Sequence, residues 1–266
     1  SKEEVGGARL EVQQNVPGWV LDETVAPTTK LRQGDLINFE NSDDELHRIG
    51  IIVTADCDLD RKKHARLVTM VPVVTALTIL ERYLLIEDCE KKRELIEDYA
   101  FNQYGIDKLQ AHEVKLSILR EEVENGQPIS DDATSVAAQF TLDSLRTISV
   151  GSYKNLMQAI KSGPRNADAL KDQIRSRGDL MILPHTQDMG ILGEIAWLRH
   201  IWQVPLSDIA IKTSEVSSRS GERIARLDSP YRYRLTQLMA QVFSDIGLPD
   251  ARDQIEEHLQ EVYSDA

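Results

Sequence analysis

Long apolar runs are missing from this sequence. No stretch approaches the roughly 20 residues that a helix needs to cross a bilayer. The most apolar segment, Val68 to Leu80, contains Pro72 and three threonines, so it predicts a strand that runs into a helix. The chain begins Ser-Lys-Glu-Glu, without a methionine or an apolar signal region. We therefore expect a processed N-terminus, a cytoplasmic location and no membrane partner.

Cysteine, aromatic residues and several catalytic signatures are also scarce. The two cysteines, Cys57 and Cys89, are too few for a disulfide framework or a four-ligand zinc site, and they fit a reducing compartment. Aromatic residues make up 5% of the chain, which argues against a protein that stacks the bases of single-stranded nucleic acid. The sequence has no glycine-rich phosphate loop and no Gly-x-Ser-x-Gly turn. A nucleotide-driven motor or a serine hydrolase is therefore a poor fit.

Positive charge is in deficit. The 266 residues include 31 Lys and Arg against 44 Asp and Glu, a net charge of −13. Such a chain is a poor binder of duplex DNA over its whole surface, because that binding depends on cations placed against phosphates. A local basic patch that holds RNA is still compatible with this charge. The length suits one large domain or two smaller ones, and the 41% hydrophobic content is ordinary for a globular protein.

The pattern of apolar residues predicts an α+β fold in three parts that form one integrated structure. Residues 1–75 contain short apolar runs separated by turn residues, a pattern typical of a small barrel-like β-module. Residues 76–176 carry apolar residues at helical spacing and predict a helical block. Residues 177–266 return to strand-like runs that rejoin the sheet, and they end in C-terminal helices. The predicted helices span about 76–103, 107–124, 131–148, 152–161, 166–174, 229–246 and 250–263, with Asp131 or Ser130 capping the third and Ser229 capping the sixth.

A Gly-Asp-Leu tripeptide opens two of the predicted strands. It occurs at Gly34–Leu36 and again at Gly178–Leu180, and strand-like residues continue through Gly193–Trp202. The repeat has two interpretations. It indicates either a duplicated barrel or one sheet whose last strands arrive after the helical block.

Three carboxylates follow a buried strand at alternate positions: Asp56, Asp58 and Asp60. Oxygen ligands at this spacing could hold a hard divalent cation, which is the one cofactor that the sequence suggests. The Asp-x-Asp pattern also resembles the first motif of haloacid-dehalogenase-like phosphatases, and this resemblance implies a metal-dependent phosphatase or nuclease that uses Asp56 and Asp58. The alternative is a polar turn in which the aspartate side chains bond nearby amides.

A second set of residues suggests RNA chemistry. A strand opens with Gly34-Asp35, Arg48 precedes the run Ile-Ile-Val-Thr, and a later strand ends Val-Pro-Val-Val-Thr at Thr75. This order, over about Leu31 to Thr75, resembles the SH3-like barrel of the MazF/PemK toxin endoribonucleases. The resemblance implies metal-independent RNA cleavage with Arg48 and Thr75 as catalytic residues. Acidic residues 43–45 would repel RNA beside Arg48, so a barrel without nuclease activity is the alternative.

Three further segments resemble an uncharacterised bacterial family. They read IIVTADCDL, GEIAWLRHI and RLDSPYRYRLTQLMAQVFSDIGLP, and they carry a Thr-x-x-Cys-Asp strand end and a C-terminal Ser-Pro-Tyr-Arg helix. The resemblance implies an association with mobile or phage-defence genes. We therefore favour a non-catalytic binding or adaptor protein of a bacterial defence or toxin–antitoxin-like system, with a protein partner.

A local excess of arginine offers one surface for such a partner. Five arginines lie close together in sequence against two acidic residues, and such an island could hold phosphate or a carboxylate-bearing partner. The alternative is that some of them pair with acidic helices. The five are Arg219, Arg223, Arg226, Arg232 and Arg234.

Overall fold

The computed structural model describes residues 15–21, 29–39, 42–60, 66–127 and 129–244. Within these ranges the chain has the predicted α+β fold, a largely antiparallel sheet packed with helices. The strands are β1 (Trp19–Val20), β2 (Asp35–Asn38), β3 (Ile49–Ile52), β4 (Leu67–Val74), β5 (Leu180–Ile182), β6 (Ile195–Trp197), β7 (Trp202–Pro205), β8 (Ile209–Ala210) and β9 (Gly221–Leu227). The helices are α1 (Asp56–Asp60), α2 (Ala76–Ile79), α3 (Leu85–Lys91), α4 (Arg93–Gln103), α5 (His112–Asn125), α6 (Asp132–Thr141), α7 (Val150–Ala159), α8 (Ala167–Ser176) and α9 (Ser229–Ser244).

Early and late strands together form the barrel-like part. β2, β3 and β4 are antiparallel neighbours, β9 lies beside β2, and β7 pairs with the first half of β4. A 3-10 turn, Leu206–Asp208, leads from β7 into β8. Because β8 pairs with β9, and β9 lies beside β2, the strand order returns to β2. The late strands therefore rejoin the sheet, as the sequence predicted.

The two faces of these strands pack into two cores because successive side chains of a strand point to opposite sides. Ile37, Ile52 and Met70 face the barrel interior together with Ile209. The alternate residues of β2, β3 and β4 face a second core, which α9 covers. That second core includes Leu36, Ile51, Val71, Leu235, Leu238 and Val242.

The eight-residue strand β4 changes its neighbour halfway along. Its first half pairs with β7, whereas Val73 and Val74 pair with β6, and β6 in turn pairs with β5. The two Gly-Asp-Leu strands, β2 and β5, thus lie in one sheet with β3, β4 and β6 between them. The predicted strand run through 193–202 is divided, since residues 198–201 turn the chain from β6 into β7.

Helices α3 to α7 form a block around a separate core. The predicted helix over 76–103 contains a π-helical segment, Leu80–Leu84, and is broken at Lys92, whose φ of −115° and ψ of 17° are not helical. The predicted helix over 131–148 ends early at Thr141, because Asp143 adopts a left-handed conformation with φ of 55°. Asp131 caps α6 through Thr134 N, as predicted. The core side chains include Ile96, Phe101, Leu119, Phe140, Tyr153 and Leu156.

The C-terminal helix α9 begins at Ser229, one residue earlier than a cap at Ser229 predicts. The carbonyl of Asp228 accepts the amide of Arg232, and the Asp228 carboxylate accepts the amide of Ser229 at 2.6 Å. Asp228, rather than the predicted Ser229, therefore caps the helix. The predicted end at 246 and the last predicted helix, 250–263, lie outside the described residues. In the described ranges, no helix combines the length and the apolar character needed to span a membrane.

Candidate functional site

A cleft of about 490 Å³ opens between the α9-facing side of the sheet and the loop 189–192. Side chains of β3, β4 and β9 form an apolar floor, and polar side chains stand at one rim. We name it the Arg48–Thr75 cleft. Its lining comprises Leu21, Asn38, Glu45, Arg48, Ile49, Val73, Val74, Thr75, Thr78, Met189, Gly190, Ile191, Leu192 and Ile224.

The structure brings Arg48 and Thr75, predicted from the MazF/PemK resemblance, to this one cleft. Arg48 follows the 3-10 turn Glu45–His47, is exposed, and its Nε donates to the carbonyl of Ser42 at 3.4 Å. Thr75 directly follows β4 and is the N-cap of α2. The antiparallel pairing of β3 with β4 places the residue before one strand close to the residue after the other.

The hydroxyl of Thr75 is occupied on both sides. Its Oγ1 accepts the amide of Thr78 at 3.0 Å, as a helix cap does. The Thr78 hydroxyl donates to Glu45 Oε2 at 3.2 Å, and the two threonine hydroxyls lie 2.9 Å apart. Since a hydroxyl has one proton to donate, Thr75 is the donor to Thr78. The hydrogen-bonded chain therefore runs from Thr75 to Thr78 and ends on the carboxylate of Glu45.

Negative charge surrounds this hydroxyl chain. Glu45 accepts at its end, and Glu194 Oε1 accepts the amide of Ala76 at 3.0 Å. Arg48 is the one cation among the described residues that line the cleft. The rim can pair a single acidic group with Arg48. The described part of the rim carries no cluster of cations of the kind that a phosphate chain needs.

The loop that forms the opposite wall was not predicted from the sequence. Its 3-10 turn, Thr186–Met189, lies between His185 and Gly190, which both adopt left-handed conformations with φ of 47° and 71°. The side chain of Leu192 is 81% exposed at the cleft. The available signal was the pair of glycines, Gly190 and Gly193, which favours a loop but does not indicate that Leu192 is exposed.

The predicted cation ligands Asp56, Asp58 and Asp60 all lie in the short helix α1. Asp56 Oδ1 accepts the amide of Gln33 at 2.7 Å, and Arg32 Nη1 lies 3.3 Å from Asp60 Oδ2. This amide contact matches the alternative in which the aspartates bond the backbone. Among the residues that the structure describes, no three His, Cys, Asp or Glu side chains are grouped to hold a metal ion. The divalent cation at these aspartates stays a prediction.

The five arginines of the predicted island do not share one open surface, which corrects that prediction. Arg223 and Arg226 lie on β9 and bind the buried carboxylate of Asp35, with N–O distances of 3.2 and 2.6 Å. Arg219 donates to the carbonyl of Ser207. The remaining two arginines are on α9: Arg232 packs beside Gly34, and Arg234 donates to Gln237 at 2.9 Å. Spacing in sequence could not show this division, because Asp35 is 188 residues from Arg223 and 191 from Arg226.

Comparisons with protein-family models, with curated proteins and with solved structures find no match to this chain.

Proposed function

We propose that this protein is a non-catalytic binding protein, an adaptor, and that the Arg48–Thr75 cleft receives a segment of a protein partner. The segment would place apolar side chains on the floor and an acidic group against Arg48. The volume of about 490 Å³ lies within the range of about 300–1,000 Å³ that is usual for binding clefts. Leu192 is exposed at the mouth of the cleft, and burying its apolar side chain against a partner would stabilise the complex.

The hydrogen bonding of Thr75 is the observation that carries a binding role over a catalytic one. Its hydroxyl accepts from one group of α2 and donates to another. The proton of this hydroxyl and one of its two lone pairs are committed to Thr78, so Thr75 has no proton to give a substrate unless the start of α2 opens. The assignment to a bacterial defence or toxin–antitoxin-like system rests on the sequence resemblances given above.

Selection from a displayed library of random peptides tests this proposal. Peptides enriched on the wild-type chain are expected to be lost on Leu192→Asp and on Arg48→Glu. They should be retained on Leu109→Asp and Arg120→Glu, which make the same changes at exposed positions of the helical block. Enrichment that is equal on all four variants would contradict the proposal.

A metal-independent endoribonuclease at the same cleft is the second candidate. The observation that favours it is the presence of Arg48 and Thr75 in one cleft of a barrel-like sheet. Mixed-sequence RNA should stay intact with the purified protein if the site only binds. Cleavage that survives a chelator and is lost in a folded Arg48→Ala variant would replace the binding role with this activity. Cleavage that needs a divalent cation would instead support a metal site at Asp56 and Asp58.

A further inference from the structure

A second groove lies between α8 and α9, on another part of the molecule. Its volume is about 640 Å³ and its floor is the strand β5. Each helix contributes residues spaced three or four apart, which share one helical face. The lining includes Lys171, Arg175, Arg177, Leu180, Ile182 and Arg234.

The floor of this groove is an edge strand. β5 pairs with β6 and ends the strand order, and among the described residues no strand pairs with its other side. The carbonyl of Asp179 and the amide of Leu183 both bond toward β6. Because these groups alternate along a strand, Leu180 and Ile182 direct their amides and carbonyls to the unpaired edge. Ile182 is also 60% exposed, so the edge offers both main-chain groups and an apolar side chain.

The described lining is basic and carries no carboxylate, in a chain of net charge −13. Arg177 is committed to the fold, since it lies 3.1 Å from both Glu87 and Asp179. Three cations remain for a partner: Lys171, Arg175 and Arg234.

Two of these cations have acidic neighbours on α8. Lys171 lies 3.4 Å from Asp168, and Arg175 lies 3.8 Å from Asp172. All four side chains are at least 65% exposed. Pairs this exposed are weak, so a partner carboxylate can replace them.

We propose that this groove binds an extended acidic segment of a protein partner, which adds as a strand to the free edge of β5. Its main chain bonds Leu180 and Ile182, its apolar side chains cover Ile182, and its carboxylates face Arg175 and Arg234. Strand addition to an exposed edge is a recurrent mode of peptide recognition. The groove favours a peptide over RNA because its described lining is apolar between the cations and includes no aromatic ring for base stacking.

The probe for this proposal is a fluorescein-labelled decapeptide of alternating glutamate and valine, measured by anisotropy. Arg175→Glu combined with Arg234→Glu should weaken its binding at least tenfold. The matched control, Arg120→Glu combined with Arg146→Glu, makes the same charge change at exposed positions elsewhere and should stay within twofold of wild type. Ile182→Asp should weaken binding, whereas Leu109→Asp should not.

A fully N-methylated decapeptide separates strand addition from simple charge attraction. It keeps the side chains but has no amide donors, so we expect at least tenfold weaker binding. Equal binding of both peptides, or an equal loss in both double variants, would overturn the proposal. Tighter binding of a single-stranded RNA of equal charge would overturn it in favour of nucleic acid. Dimerisation that Arg175→Glu with Arg234→Glu abolishes would reassign the groove to a second copy of the chain.

The proposals for the groove and for the Arg48–Thr75 cleft can be tested separately. Leu192→Asp alters only the cleft and is expected to leave decapeptide binding unchanged. Loss of decapeptide binding in Leu192→Asp would contradict the independence of the groove.

Discussion

The guanidinium of Arg226 holds the buried carboxylate of Asp35 at two points, with Nε 2.6 Å from Oδ1 and Nη2 3.1 Å from Oδ2. The two residues are register partners on β9 and β2. Asp35 is 0% exposed, and Arg223 Nη1 lies 3.2 Å from Oδ2 of the same carboxylate. A charge in this position is stable only while its partners remain. The contact therefore fastens the late strand β9 to the early strand β2.

Arg226→Ala should lower the free energy of unfolding by about 3 kcal/mol, because the buried Asp35 carboxylate then keeps only one of its two arginine partners, Arg223. Urea denaturation followed by circular dichroism measures the change. The control is Arg234→Ala, at an exposed arginine on α9, where about 0.5 kcal/mol or less is expected. An equal effect of the two substitutions would show that the ion pair does not hold β2 and β9 together.

Asp88 should make stability depend on pH. Burial alone raises its pKa, but hydrogen bonds from Lys92 and Tyr153 and the charges of Lys92 and Arg165 outweigh burial, so its pKa lies below the ordinary 3.8. The folded state then binds the proton less readily than the unfolded state. The resulting stabilisation is present above pH 3.8 and is lost as pH falls through the lower folded pKa.

Urea unfolding of wild type and Asp88→Asn across acidic pH tests this effect. The stability advantage of wild type over the variant should be full at neutral pH and should shrink as pH falls below 3.8. Tyr153→Phe removes the 2.6 Å hydrogen bond to Asp88. In that background, the stability difference between Asp88 and Asp88→Asn should be smaller but still present. A difference between wild type and Asp88→Asn that is constant with pH would contradict the role of this carboxylate.

The two cysteines should differ in reactivity. Burial and the neighbouring Asp88 raise the pKa of Cys89 to about 12, whereas Cys57 is exposed. Iodoacetamide at pH 8 should therefore modify one thiol in the folded protein and two in urea. Mass spectrometry identifies the site, and Cys57→Ser should leave the folded protein unmodified. Rapid modification of Cys89 in the folded chain would contradict its burial.

Gly50 should not accept a side chain. A Cβ at this position would lie 2.5 Å from the ring of Trp202, inside the barrel. Gly50→Ala is therefore expected to destabilise the protein by about 1–3 kcal/mol, as overpacking does. Gly163→Ala is the control, because no atom lies within 4 Å of the Cβ it would add. Equal melting temperatures of the two variants would contradict the packing of β3 against β7.

Sequence reasoning succeeded where the signal is local. The N-cap of α6 at Asp131 and the short strands around Leu36 and Ile51 follow from residue type and spacing. Contacts between distant segments could not be read in the same way. The pairing of β2 with β9 turns two arginines inward, and nothing near Arg223 or Arg226 in sequence indicates it.

The candidate site shows the same division. The resemblance to the MazF/PemK family predicted Arg48 and Thr75 as site residues, and the strand pairing places both in one cleft. The opposite wall comes from residues more than 100 positions later, so its exposed Leu192 could not be connected with them. The hydrogen-bonded chain from Thr75 to Glu45 likewise depends on the turn before β3 lying against the start of α2.

The most direct test of the binding role is a titration of one library-selected peptide against three forms of the chain. Leu192→Asp should weaken binding of the peptide at least tenfold relative to wild type. Leu109→Asp, at a leucine that is 93% exposed in the helical block, should bind as wild type does. Equal dissociation constants for all three forms would contradict the assignment of the Arg48–Thr75 cleft as the binding site.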